Sequence, residues 1–215
     1  MDTRPGRSHA VTGLDARASF RVPSAAMLAR RFREVRLLIV DVDGVLTDAG
    51  MYYSEGGDEL KKFNTRDGHG IKLLEAEGIP TAIVTRERTE IVSRRARKLG
   101  IKDLYQGVFD KLPVVRSLAD QHEIDARQAC YIGDDLGDLE AMGFVGLPVA
   151  VRDAVPEIKR TARYVTRRRG GEGAVREVCD LILAARTGSL GLRAFPGTLS
   201  AFFHRRVRSS LRRVW

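Results

Sequence analysis

The chain has 215 residues, 43% apolar and 30% charged, which fits one well-cored globular domain at about 150 residues per domain and argues against two large ones. It contains no apolar run of about 18 residues, so no transmembrane helix is expected. The net charge of +9 is concentrated at the ends: residues 1–33 carry seven Arg and two Asp, residues 188–215 carry six Arg and no acid, and the balance over 34–187 is −2. The basic ends therefore say nothing about the chemistry of the middle.

Residues 1–33 are Arg-rich, carry Asp2 and Asp15 and lack an apolar core segment, so they read as a disordered extension and not as a secretory signal. Apolar runs then follow at Val35–Val40, Thr81–Val84, Ala129–Ile132 and Pro148–Val151. Segments of helical period separate them, at Ile71-Leu73-Leu74, Ile91–Leu99, Leu112-Val115-Leu118 and Leu136–Met142. Short apolar strands alternating with such helices predict an α/β domain over 34–187, with a doubly wound parallel sheet covered on both faces. Its ligands are expected beyond the carboxyl ends of the strands. Between the first strand and its helix, AGMYYSEGGDELKKFN turns at Glu55-Gly56-Gly57-Asp58 and predicts a small projecting β-hairpin. Cys130 and Cys179 lie in apolar stretches and read as buried reduced thiols, as in a cytoplasmic protein.

Acids crowd the strand ends. Asp41 and Asp43 follow the first strand beside Gly44, and alternate residues of an extended end point the same way. An Asp after a strand can simply cap the next helix, but YIGDDLGD places Asp134, Asp135 and Asp138 at a second strand end. An oxygen-only donor set of this kind suits Mg²⁺. Thr85 follows AIVT, where it offers a hydroxyl and a backbone N–H as a phosphate cradle, or an ordinary helix cap. Lys111 opens a helix, where its charge opposes the dipole, and reads equally as a solvated lysine or a phosphate contact.

Taken together, DVDGVLTD, Thr85, Lys111 and GDDLGD resemble the four motifs of the haloacid-dehalogenase-like phosphatases, over about residues 35–185. Within that superfamily, KKFNTRDGHGIKLL, LYQGVFDK and YVTRRRGGEGAVREVCDLIL resemble the 3-deoxy-D-manno-octulosonate 8-phosphate (KDO 8-phosphate) phosphatases and their sialic-acid-type relatives. The resemblance implies a phosphoaspartate formed on Asp41, with Asp43 as acid and then base. It implies Mg²⁺ held by Asp41, Asp134 and the carbonyl of Asp43, with Thr85 and Lys111 on the phosphoryl oxygens. Asp135 and Asp138 would support that first layer. The gaps between the motifs leave no room for a cap domain, and the resembling family covers its sites as a homotetramer through the hairpins.

The resemblance also implies substrate contacts. Arg66 and Asp67 of FNTRDG would line the pocket or brace its loop, and Arg95 would reach a neighbouring subunit's site. The GGEGAVRE segment would be a mobile cover carrying Arg176 to a substrate carboxylate. The octulosonate enzymes usually show T-G-R where this chain has Thr85-Arg86-Glu87. Glu87 with Lys98 looks like the branch acting on nine-carbon acid 9-phosphates, the two side chains pairing with each other and with sugar hydroxyls. Both also fit a solvated, Arg-rich helix. The expected substrate is thus a 2-keto-3-deoxy sugar acid phosphate of eight or nine carbons.

At the far end, Leu199, Phe202, Phe203, Val207, Leu211 and Val214 recur at helical spacing among five Arg, so 188–215 reads as a basic amphipathic tail suited to peripheral membrane contact or a partner subunit. No nucleic-acid partner is expected, because the basic ends lack aromatic interleaving. The competing class is a non-catalytic regulatory or assembly module, which would be expected to lose the acids that this chain retains.

Overall fold

The computed structural model describes residues 24–57 and 59–188. Its core is a six-stranded sheet with order β5-β4-β1-β6-β7-β8, in which every neighbouring pair is parallel. The strands are β1 (Leu37–Val40), β4 (Thr81–Val84), β5 (Asp103–Tyr105), β6 (Ala129–Gly133), β7 (Leu147–Ala150) and β8 (Tyr164–Val165). Every residue of β1, β4, β6 and β7 is buried, as expected of strands covered on both faces. Register across the centre pairs Leu38 with Thr81 on one side and with Cys130 on the other. The chain runs outward from β1 through β4 to β5, then returns to build β6, β7 and β8 on the opposite side. The strand order therefore reverses beside β1, which places the ligand crevice beyond its carboxyl end.

Helices α1 (Ala25–Glu34), α2 (Thr65–Ala76), α3 (Glu90–Leu99) and α7 (Ala174–Arg186) pack in one group, and α4 (Lys111–Gln121), α5 (Leu139–Phe144) and α6 (Pro156–Thr161) in another. Local chemistry sets their ends. The Thr89 hydroxyl accepts from Val92 N to start α3, and Gly100 ends it at φ +80°. Asp110 caps α4 by accepting from Leu112 N, so Lys111 is its first residue.

The expected boundary at residue 33 falls inside α1. Ser24 caps this helix, and Leu28 and Phe32 bury its apolar side, Phe32 completely. Burial of one such aromatic is worth about 1.5–3 kcal/mol, enough to hold a short Arg-rich helix on the domain. Residues 1–23 and the tail from 189 lie outside the described residues. β5 and β8 were not expected; each is a two- or three-residue edge strand without an apolar run.

The hairpin forms as expected from β2 (Tyr52–Tyr53) and β3 (Glu59–Leu60), with Tyr52 opposite Leu60. A bridge between Thr47 and Phe63 closes its base. Tyr53 and Leu60 are 68% and 65% exposed, so the hairpin projects from the domain without covering itself. Apart from it, only helices and sheet strands separate the strand ends, and no cap domain occurs among the described residues. None of the described helices is long and apolar enough to cross a membrane.

Candidate active site

The carboxyl ends of β1, β4 and β6 and the start of α4 converge on one polar cluster. Asp41 leaves β1 with its N–H donating to Ile132 O on β6. Its Oδ1 accepts from Val42 N at 2.7 Å, and its Oδ2 lies 3.0 Å from Lys111 Nζ. Lys111 Nζ also donates to Asp138 Oδ1 at 2.6 Å, with the lysine side chain only 2% exposed. The α4 dipole that opposes a lysine here is outweighed by two carboxylates in front of it. Burial works against the ammonium, yet the charges of Asp41 and Asp138 raise its pKa above the ordinary lysine value.

Asp138 is fully engaged. Its Oδ1 also accepts from the Tyr131 hydroxyl at 2.7 Å, and its Oδ2 accepts from Asp134 N at 3.0 Å. Tyr131, inside an apolar strand, carried no signal in the sequence that it serves this cluster. Asp134 Oδ1, by contrast, is buried and accepts no hydrogen bond. Carboxylate oxygens of Asp41, Asp134 and Asp138 all lie within 4.8 Å of one another. Three acids face one ammonium, and burial together with mutual repulsion pushes Asp41 up to about 7 and Asp134 up to about 8. Excess buried negative charge and an orphaned carboxylate oxygen are what an oxygen-seeking divalent cation relieves. The donor set thus fits Mg²⁺, with Asp134, whose Oδ1 has no partner, and Asp41, whose oxygens each accept one contact, as the side chains that would hold it, and with Asp138 committed to its neighbours.

Asp43 points into the same crevice. Its Oδ1 accepts from Lys61 Nζ at 2.7 Å and more weakly from the Thr47 hydroxyl at 3.4 Å. Lys61, from the return leg of the hairpin, was absent from the expected site. Its ammonium also donates to Glu87 Oε2 at 2.6 Å, and no part of its side chain is exposed. Burial opposes its charge, but the bonds to Asp43 and Glu87 prevail and raise its pKa.

Several expectations change at this point. Thr85 is buried at the end of β4, but its N–H donates to Tyr105 O and is not free for phosphate. Thr89, not Thr85, caps the following helix, so Thr85 has its hydroxyl alone to offer. Asp135 is exposed and caps the 3-10 turn Leu136–Asp138, the ordinary role of an Asp after a strand. Glu87 pairs with Lys61, whereas Lys98 is exposed on α3 and makes no ion pair with Glu87 among the described residues.

Of the remaining candidates, Arg86 lies at the mouth, 6.0 Å above the Phe109 ring and with its guanidinium against Gly137. Arg66 is exposed on the first turn of α2. Asp67 is buried, and its Oδ1 accepts from Arg176 N at 2.7 Å and braces the start of α7, while its Oδ2 accepts no hydrogen bond among the described residues. Burial, opposed by that backbone bond, pushes Asp67 up to about 6. Arg95 donates to Asn64 O and stacks 5.4 Å above Phe63, bracing α2. Arg176 directs its Nε to Asp180 on its own helix. The segment expected as a mobile cover is packed down: a Cβ on Gly170 would stand 1.7 Å from Gly44 O, and Asn64 donates to Gly171 O.

Known proteins resemble this chain in sequence and in fold. A family model for haloacid dehalogenase-like hydrolases matches residues 88–178, a stretch that includes Lys111, Asp134 and Asp138. The 3-deoxy-D-manno-octulosonate 8-phosphate phosphatase of Yersinia pestis is 49% identical over 173 residues, covering 79% of this chain and 92% of the relative. Its crystal structure superposes with a TM-score of 0.73 over 75% of this chain and 87% of that one, at 49% identity. The Moraxella catarrhalis phosphatase of the same name, solved in complex with a magnesium ion, a phosphate ion and a KDO molecule, is 37% identical with a TM-score of 0.73, covering 80% of this chain and 97% of that one. With 49% identity over 79% of its length to such a phosphatase, the chain belongs to the 3-deoxy-D-manno-octulosonate 8-phosphate phosphatase family of haloacid dehalogenase-like hydrolases and is a phosphatase.

Proposed function

We propose that the chain hydrolyses 3-deoxy-D-manno-octulosonate 8-phosphate or a close 2-keto-3-deoxy sugar acid phosphate, through a phosphoaspartate on Asp41 and with Mg²⁺ as cofactor. The observation that carries this reading is the clustering of Asp41, Asp134 and Asp138 at the carboxyl ends of β1 and β6, with Lys111 paired to Asp41 and Asp138. The Asp41 side chain, Asp134 and the Asp43 carbonyl would hold the metal, which when bound offsets negative charge on the phosphate and on the attacking carboxylate.

The Asp41 carboxylate attacks phosphorus, dividing one difficult displacement into two steps. Asp43, two residues along, gives a proton to the departing sugar oxygen and later takes one from water. Lys111 Nζ and the Thr85 hydroxyl bind equatorial phosphoryl oxygens as charge spreads over them. Asp138 holds Lys111 in reach, and Tyr131 holds Asp138.

Eight carbons is the favoured length. Relatives at 49% identity carry the octulosonate name, and the expected Glu87–Lys98 pair that pointed to nine carbons is replaced by Glu87–Lys61. The open crevice and exposed hairpin support a homotetramer in which neighbouring hairpins cover each site. The test is a panel of phosphorylated sugar acids with Mg²⁺. Preference for the eight-carbon 8-phosphate supports the reading, and preference for a nine-carbon 9-phosphate overturns the chain length.

A further inference from the structure

The hairpin is fastened to the catalytic loop by two successive lysines just after β3 that point in opposite directions, as successive residues of extended chain do. Lys62 pairs with Asp48 at 2.6 Å on the outer side. Lys61 turns inward, and its ammonium meets Asp43 at 2.7 Å, Glu87 at 2.6 Å and Glu59 at 3.5 Å. Of these three carboxylates Asp43 and Glu87 accept hydrogen bonds from the ammonium, and Glu59 lies at ion-pair distance only. Its side chain is wholly buried, while Asp43 and Glu87 are 30% and 40% exposed. The lysine is therefore the most buried member of the group.

Asp43 has little else to hold it. Among the described residues its side chain's other hydrogen bond is from the Thr47 hydroxyl at 3.4 Å, a weak one. Without Lys61 the Asp43 carboxyl could turn among its rotamers, and an acid displaced by about 1 Å loses much of its effect. Glu87 sits on the far side of the ammonium and keeps it from swinging away from the crevice. An Arg at position 87 would repel Lys61, so Glu87 and Lys61 form a matched pair in this chain.

We propose that Lys61 is a positioning residue for catalysis, fixing the Asp43 carboxyl toward the leaving oxygen, and that Glu87 acts through Lys61 rather than on the sugar. This rests on the assignment of Asp43 as the acid–base group.

The test exploits leaving-group chemistry. A sugar alkoxide must be protonated as it departs, whereas p-nitrophenolate leaves unaided. Lys61→Met should lower the single-turnover rate of phosphoenzyme formation from a sugar phosphate by about 100-fold, with the burst of p-nitrophenolate from p-nitrophenyl phosphate changed less than about 3-fold, whereas the later hydrolysis step, in which Asp43 is the base, should slow for both substrates. Lys61→Arg should restore part of the loss. Glu87→Gln, which loosens the ammonium without removing it, should show the same selectivity with a smaller loss. Thermal unfolding of each variant checks that it is folded, and Asp43→Asn serves as the reference. If Asp43→Asn loses phosphoenzyme formation from the sugar phosphate selectively while folded Lys61→Met and Glu87→Gln do not, the role of Lys61 is overturned and that of Asp43 stands. If Asp43→Asn shows no selective loss, the acid–base assignment falls and the proposal with it.

Discussion

Gly44 and Asp134 approach so closely that a Cβ on Gly44 would stand 2.0 Å from Asp134 Oδ2. Gly44 also holds φ +83°, where a side chain is strained. The loop after β1 can therefore close over the second acid cluster only with glycine at this place. Gly44→Ala is expected to lose about 1–3 kcal/mol of stability to the backbone alone. It should also displace Asp134, so that Mg²⁺ no longer raises the melting temperature. A variant with wild-type Mg²⁺ response would show that Asp134 tolerates the shift.

Asp138 holds Lys111, Tyr131 and the Asp134 N–H together without an oxygen to spare. Asp138→Asn removes the charge that keeps Lys111 in place, and losses of about 10–100-fold are usual for such supporting groups. The loss is expected in kcat more than in KM, as measured by steady-state turnover.

The strands, the hairpin and the acid clusters were legible because their signals are contiguous: apolar runs, a turn at Glu55-Gly56-Gly57, and acids directly after β1 and β6. What was not legible depends on chain segments meeting in space. Lys61 reads as one more solvated lysine until the hairpin folds back over Asp43. The N–H of Thr85 is consumed by Tyr105 on β5, a half-buried strand of three residues, too short to announce itself. Helix α1 hid behind its arginines, since only Leu28 and Phe32 are large apolar residues buried there. Glu87 and Lys98 have a spacing that suggests pairing, but the nearer cation comes from another element.

The pH dependence of metal binding follows from the buried acids. In the metal-free protein Asp41 and Asp134 are raised from the ordinary carboxylate value to about 7 and about 8. Their folded values lie above their unfolded ones, so their contribution to stability is complete below about pH 4 and is lost as pH rises to about 8. Mg²⁺ must displace these protons, and its affinity should rise across that range. The melting-temperature gain from Mg²⁺ is expected to be larger at pH 8.5 than at pH 6. A gain that is equal at both, or larger at pH 6, would contradict this reading.

Asp67 and Arg176 separate a structural role from a substrate role. Asp67→Ala removes the acceptor of Arg176 N at the start of α7 and should cost about 0.5–2 kcal/mol, as loss of a helix cap does. Arg176→Ala loses only a partly exposed pair with Asp180, worth less than about 1 kcal/mol. Substrate KM should be unchanged in Arg176→Ala. A large rise in KM would restore Arg176 as a substrate contact.

Asp41 as the nucleophile is the centre of the account. Rapid acid quench of the enzyme during turnover of a sugar acid phosphate with Mg²⁺, followed by peptide mass analysis, tests it most directly. The expected result is one phosphoryl group on the peptide containing Asp41, absent from Asp41→Asn, which should also be inactive. Wild-type turnover by Asp41→Asn, or a phosphoryl group trapped on another residue, would contradict it.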